Sequence, residues 1–258
     1  MKDNQLRLRS VLFSLNSHVI QRSNKSIIYW TKRARGYKTF IQELLCTTQR
    51  KHTFRWLRSR KQDYLFYTPS PWLVFDAIDY IQFRMFKGIN VFEYGSGGST
   101  LFWLSYGANV ISIEHDSQWY NSMIERLQSY KLIDYYLINP EKIENEEKHE
   151  DPSDPENYTS KSDIYNSFSF YNYVSQIDTF PDQYFDIILI DGRSRPSCIK
   201  HSVLKIKIGG MVILDNADRD YYLLKTEKFL SNFSKIEFYG VGPSIGGTWK
   251  TNIYIRKN

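Results

Sequence analysis

The segment Val91-Phe92-Glu93-Tyr94-Gly95-Ser96-Gly97-Gly98-Ser99-Thr100 carries the densest chemical signal in this 258-residue sequence. An apolar run ends on an acid, a glycine-rich turn follows, and a helix is expected over 99–106. Glycines let the backbone turn sharply and let a ligand approach it closely. The helix start then offers unpaired N–H groups to a polar or anionic ligand. Glu114 ends the next apolar run, 21 residues after Glu93, where a carboxylate can accept both hydroxyls of an adenosine ribose. Asp191 and the pair Asp215-Asn216 end two later runs. Four acids on one sheet edge are costly unless a ligand, a cation or basic neighbours use them, and Arg193, Arg195 and Arg219 are the nearest bases in sequence.

These acids need strands to carry them to a common edge, and the sequence supplies the strands. Short apolar runs at 90–94, 110–114, 134–138, 184–191 and 210–215 alternate with helix-like stretches at 99–106, 117–130, 196–205 and 220–233. Two closing strands are expected at 236–239 and 251–256. Such alternation implies an α/β fold, a mostly parallel sheet with helices on both faces. Ser70-Pro71 reads as an N-cap with proline at the first helical position, starting a helix of about three turns that stops near Lys87-Gly88. The main domain is placed at 69–258. Residues 139–163 hold nine acids, three lysines and three prolines, so they are expected to form a mobile surface insertion without a core.

The formal net charge of +6 conceals an asymmetry. Residues 1–61 carry 15 Lys/Arg and two acids; the remainder carries 19 bases and 26 acids. Residues 1–68 therefore read as a basic, aromatic-rich extension, helical in character. Leu8, Val11, Leu12, Leu15 and Val19 share a helical face, which suits packing on the body, an anionic membrane surface or a presequence. Interleaved rings and bases at 29–60 suit a polyanion, nucleic acid included. No run is long enough for a membrane span. Two distant cysteines, Cys46 and Cys198, fit a reducing compartment, hence a cytoplasmic protein with peripheral membrane attachment as an option for the arm.

Residues 69–256 resemble the class I S-adenosylmethionine-dependent methyltransferases, in particular a bacterial small-molecule or glycan subgroup. The matching blocks are Pro71-Trp72, Phe92 to Gly97, Ser112 to Asp116 with Trp119-Tyr120, Ile190 to Arg195, Leu214 to Arg219 with Tyr222, and Gly242-Pro243 with Thr251. The resemblance implies a Rossmann-like sheet of seven strands, the last antiparallel, and S-adenosylmethionine as methyl donor. It assigns Glu93, Tyr94, Gly95, Ser96, Gly97, Ser99, Glu114, His115 and Asp191 to the donor. A dehydrogenase is disfavoured because Ser99-Thr100 stands where a third glycine would be needed. Asp191, Asp215 and Asn216 also resemble the Mg²⁺ ligands of catechol O-methyltransferase-like enzymes; without a metal they would position arginines or substrate hydroxyls.

Asp191 and Asp215 are the candidate catalytic groups, with His115 and His201 as weaker bases. Arg193, Arg195 and Asn216 are the candidate acceptor contacts; the two arginines either bind an anionic acceptor or form internal ion pairs. The Asn/Asp-Pro-Pro-aromatic signature of amino-group methylation is absent after residue 190. The expected reaction is transfer to a hydroxyl of a small molecule or glycan. The alternatives are a nucleic-acid methyltransferase using the arm, and a non-catalytic binding protein of the same fold.

Overall fold

The computed structural model describes residues 38, 40–61, 64–143 and 151–258. The chain divides into two units, Met1–Thr53 and Phe54–Asn258. In the first, residues 40–46 are helical and a 3₁₀ turn covers Thr48–His52, capped by the Thr47 hydroxyl accepting from Gln49 N at 3.1 Å. The expected face at 8–19, and the aromatic-basic stretch up to residue 37, lie outside the described residues.

The second unit is built on nine strands and seven helices of more than one turn among the described residues. The strands are β1 (Asn90–Tyr94), β2 (Asn109–Glu114), β3 (Ile133–Leu137), β4 (Glu141–Lys142), β5 (Phe168–Ser169), β6 (Phe185–Ile190), β7 (Ile206–Leu214), β8 (Phe233–Val241) and β9 (Thr248–Arg256). The helices are α1 (Thr53–Ser59, entering from the first unit), α2 (Tyr64–Tyr67), α3 (Phe75–Gln82), α4 (Gly98–Ser105), α5 (Ser117–Leu127), α6 (Tyr171–Ser175) and α7 (Arg195–Ser202). Seven strands form one sheet in the order β3-β2-β1-β6-β7-β9-β8. All neighbours are parallel except β9, which runs antiparallel to both β7 and β8. The seven-stranded, mostly parallel sheet expected from the sequence is thus present, with its antiparallel last strand.

Period-two alternation assigns the two faces. Phe92 and Tyr94 of β1 pack with Tyr173 and Val174 of α6 and Ile199 of α7. Glu93 points to the opposite face, where Thr100 and Trp103 of α4 meet it. Both faces are covered, so β1 is buried along nearly its whole length, as a central parallel strand must be.

Several local expectations are corrected by longer-range contacts. Ser70 does not cap a helix. Val74 N–H is held by Thr251 Oγ1 at 3.2 Å and Val74 stays extended, so α3 begins only at Phe75. Residues 220–233 do not form one helix; they make 3₁₀ turns at Asp220–Tyr222 and Glu227–Leu230. There the Thr226 hydroxyl donates to Tyr222 O at 2.7 Å, and Lys225 reaches Asp151 and Asp154 at 2.7 and 2.8 Å. The acidic insertion is not simply a loose loop in its described part. β4 pairs with β5, Ser153 and Thr159 are buried, and Glu156 pairs with Lys200 at 2.6 Å. Its acids find lysines on the body in place of an apolar core.

Residues 54–68 also pack with the sheet unit. Arg55 pairs with Asp79, the Trp56 indole donates to Ile245 O at 2.8 Å, and the buried Ser59 hydroxyl accepts from Ser244 N at 2.8 Å. No described helix is long and apolar enough to cross a membrane.

Candidate active site

The chain leaves β1 and returns to β6 beside it, after β2 and β3 have been laid on the other side of β1. Ligands in open α/β sheets bind beyond the carboxyl ends of the strands at such a reversal. Two glycines stand there. Gly95, just past β1, has φ +91°, a conformation that glycine adopts without strain. A Cβ on it would lie 3.0 Å from Gly192 Cα, just past β6. A Cβ on Gly98 would lie 2.5 Å from Ser70 O, so the start of α4 also runs tight against the 65–70 segment. Gly97 has open space around it. The turn is packed below and clear above.

A cavity of about 650 Å³ opens over this turn. Gly95, Ser96, Gly97 and Ser99 form its floor, Glu114, His115 and Asp116 one side, and Asp191 to Arg193 with Arg195, Asn216 and Arg219 the other. Phe66, Trp72 and Trp119 supply aromatic surface. Trp119 is placed by the cap of α5: Asp116 Oδ1 accepts from Gln118 N and Trp119 N at 2.9 and 3.0 Å. Its indole then donates to Ser96 O at 2.9 Å, tying α5 to the glycine turn. Sequence reasoning missed Phe66 as a site residue, because nothing local in 64–67 marks a cavity wall.

Glu114 is 3% exposed and fully engaged. Oε2 accepts from Ser96 N and Oγ at 3.1 and 2.9 Å; Oε1 accepts from His115 N and Asp116 N at 2.7 and 3.0 Å. Burial pushes this carboxyl up, but His115, Asp116 and Ser96 outweigh burial and hold it below its ordinary value. It is a preorganised acceptor. His115 Nδ1 lies 2.9 Å from Oε1, off the line of a good hydrogen bond, while its Nε2 accepts from Arg193 Nε at 3.3 Å.

Glu93 and Tyr94 do not line the cavity, which corrects their assignment as donor contacts. Glu93 is 0% exposed and sits beneath the turn. Oε2 accepts from Thr100 Oγ1 at 2.5 Å and Ser112 Oγ at 2.8 Å, and Oε1 from Trp103 Nε1 at 3.3 Å. Thr100 Oγ1 in turn accepts from Gly97 N at 2.9 Å. Glu93 positions the turn through Thr100. Burial raises its carboxyl to about 7, against the hydrogen bonds that favour its charged form. The Tyr94 hydroxyl points into the opposite core and donates to Val174 O at 2.8 Å.

Asp215 is likewise withdrawn. Its Oδ1 accepts from Trp249 Nε1 at 2.9 Å and Thr251 Oγ1 at 2.6 Å, both on β9, so it is a buried anchor between β7 and β9 and not a catalytic group. Burial, then Asp191, raises its carboxyl. Asp191 accepts from Arg195 Nη2 at 2.9 Å, and burial raises it despite that partner. Arg195 also donates to Gly192 O, to Asp191 O and to the Asp215 carbonyl. Its guanidinium holds the place between the two acids that a divalent cation would need. With Asp215 turned toward β9, Asp191 and Asn216 do not make up an oxygen cage. The expected Mg²⁺ set does not fit. Asn216 adopts φ +49°, which asparagine tolerates well, as the chain turns out of β7.

A second cavity of about 680 Å³ shares Gly192, Arg193, Arg195 and Arg219 with the first and is closed by Lys161, Tyr221 and Tyr222. Arg193 and Arg195 thus separate in role: Arg195 is an internal ion-pair partner, whereas Arg193 faces both cavities. His201 lies away from both, between Asp178 at 2.6 Å and Tyr158 at 3.2 Å, and is not a base for this site.

Scans of the sequence against protein-family models and curated proteins return no match. Solved structures do match. A candidate O-methyltransferase from Klebsiella pneumoniae superposes with TM-score 0.50 at 13% identity, covering 75% of this chain and 87% of that one. The fold is that of the class I methyltransferases. Among the other class I methyltransferase-fold neighbours are a methyltransferase-like protein from Silicibacter pomeroyi, with TM-score 0.42, 17% identity and 70% and 86% coverage, and MtNAS in complex with S-adenosylmethionine, with TM-score 0.43, 11% identity and 90% and 76% coverage.

Proposed function

We propose that this chain is an S-adenosylmethionine-dependent methyltransferase acting on a hydroxyl oxygen of a small molecule or glycan. The observation that carries it is Glu114, fixed by backbone N–H groups at the end of β2 and facing a cavity whose floor is an open glycine turn. The residues fit the donor. The Ser96 hydroxyl also contacts Tyr135 OH at 2.7 Å, so it can yield its place on Glu114 Oε2 to a ribose hydroxyl and keep a partner. Phe66 and Trp119, with ring centroids 5.7 Å apart, offer aromatic surface for a purine. Asp116 and Asp191 suit the cationic end of the donor.

S-adenosylmethionine would supply a methyl group on a sulfonium: the oxygen–carbon bond forms as the carbon–sulfur bond breaks, and that electron pair stays on sulfur. The chain's part is chiefly to hold the two reactants in line. Asp191, raised by burial and set at the wall shared by both cavities, is the carboxylate placed to take the hydroxyl proton. No metal enters this scheme. Incubating the full chain with methyl-labelled donor and cell extract, with and without a strong chelator, is expected to label a product equally in both. Absence of any labelled product contradicts the enzyme reading, and labelling abolished by the chelator restores the metal.

A basic arm at residues 1–61 that docks on an anionic membrane or another polyanion remains part of the proposal, as does cytoplasmic placement. The nucleic-acid alternative draws on that arm alone.

A further inference from the structure

The wall between the two cavities holds positive charge that the fold does not neutralise. Arg195 is paired with Asp191, and near the second cavity Lys200 and Lys225 are paired with acids of the insertion. Lys161, Arg193 and Arg219 differ. Among the described residues, no carboxylate lies within ion-pair distance of them. They rest on neutral groups instead: Lys161 Nζ is 4.9 Å from the Tyr221 ring centre, Arg219 Nη1 donates to Tyr222 OH at 2.9 Å, and Arg193 Nε donates to His115 at 3.3 Å. These contacts place the cations without quenching their charge. Asp220 is the one acid on the second cavity's lining.

Like charges gathered around one concavity repel one another and focus a positive potential there. A neutral occupant would leave that repulsion in place, whereas an anionic oxygen group would relieve it. Guanidinium forks match carboxylate and phosphate oxygens, and an ammonium adds a point charge to either. We propose that the second cavity holds the anionic group of the methyl acceptor, a carboxylate or a phosphate, against Lys161, Arg193 and Arg219. The acceptor is therefore an anionic hydroxyl compound. This rests on reading the first cavity as the donor site, since Gly192 to Arg195 form a wall common to both.

Calorimetric titration of the full chain, with no donor present, with inorganic phosphate, glucuronate and glucose tests it. Phosphate or glucuronate is expected to bind at millimolar levels or tighter, more weakly as salt rises, while glucose does not bind. The stronger of the two anions identifies the group. Lys161→Gln and Arg219→Gln, both at exposed positions, should each weaken that binding about tenfold without lowering the melting temperature. Lys161→Gln should leave S-adenosylmethionine affinity unchanged, because Lys161 lines the second cavity alone. Failure of both anions to bind, equal binding by the double variant, or equal binding of glucose overturns the anion site. Anion binding without any donor binding would overturn the donor reading, and with it the acceptor role, while the anion site stands.

Discussion

Glu114→Gln is expected to weaken S-adenosylmethionine binding about a hundredfold, roughly 3 kcal/mol, while the protein stays folded. The carboxylate accepts from Ser96 on one oxygen and from His115 and Asp116 on the other. An amide keeps the shape but presents an NH₂ group to one of those donor pairs. Either the Ser96 end or the His115-Asp116 end then loses its acceptor, and the turn or the ribose contact loosens. The sheet itself is untouched, since Glu114 is the last residue of β2. Titration of wild type and variant under identical salt reads the ratio directly, with unfolding curves as the control. An unchanged affinity in a folded variant would remove Glu114 from the donor site.

Replacing Glu93 should act on stability. Glu93→Ala strips the acceptor from Thr100, Ser112 and Trp103 and leaves a void under the turn, at a cost of about 3 kcal/mol or more, a large share of the stability of a typical domain. Glu93→Gln separates the charge from the packing. The carboxyl is raised from 4.5 to about 7 in the folded chain. Below about pH 4.5 it is protonated in both states. Between about 4.5 and 7 the folded state keeps a proton that the unfolded state releases, so this contribution is lost as pH rises, and above about 7 it is gone. The total is on the order of 3 kcal/mol. The glutamine variant carries no such term, so its stability relative to wild type should improve from pH 5 to pH 8 in urea unfolding. A difference independent of pH would mean that Glu93 keeps its charge at pH 5.

The residues where sequence reasoning succeeded and failed differ in a physical way. Glu114 and the glycine turn were legible because their meaning is local: a strand end, a turn and a helix start fall within a few positions. The Asp191–Arg195 pair was legible too, as neighbours four apart. Glu93 was misplaced because residue type at a strand end does not reveal the face. One position short of the edge, it alternates to the α4 side and is sealed by Thr100 and Trp103. Asp215 was misplaced because its partners, Trp249 and Thr251, come from an antiparallel strand more than 30 residues away. The same long reach held Val74 extended by Thr251 and delayed α3. Lys161 was hidden inside a segment whose acids dominated its composition; only the folded chain brings it beside Arg219.

The account stands on one ligand in one cavity. Isothermal titration of the purified full chain with S-adenosylmethionine, and with S-adenosylhomocysteine as the demethylated control, tests that most directly. One donor molecule per chain should bind with a dissociation constant in the micromolar range, about −8 kcal/mol, and the demethylated compound should compete for the same site. No heat of binding from either compound, in protein shown to be folded, would contradict the account.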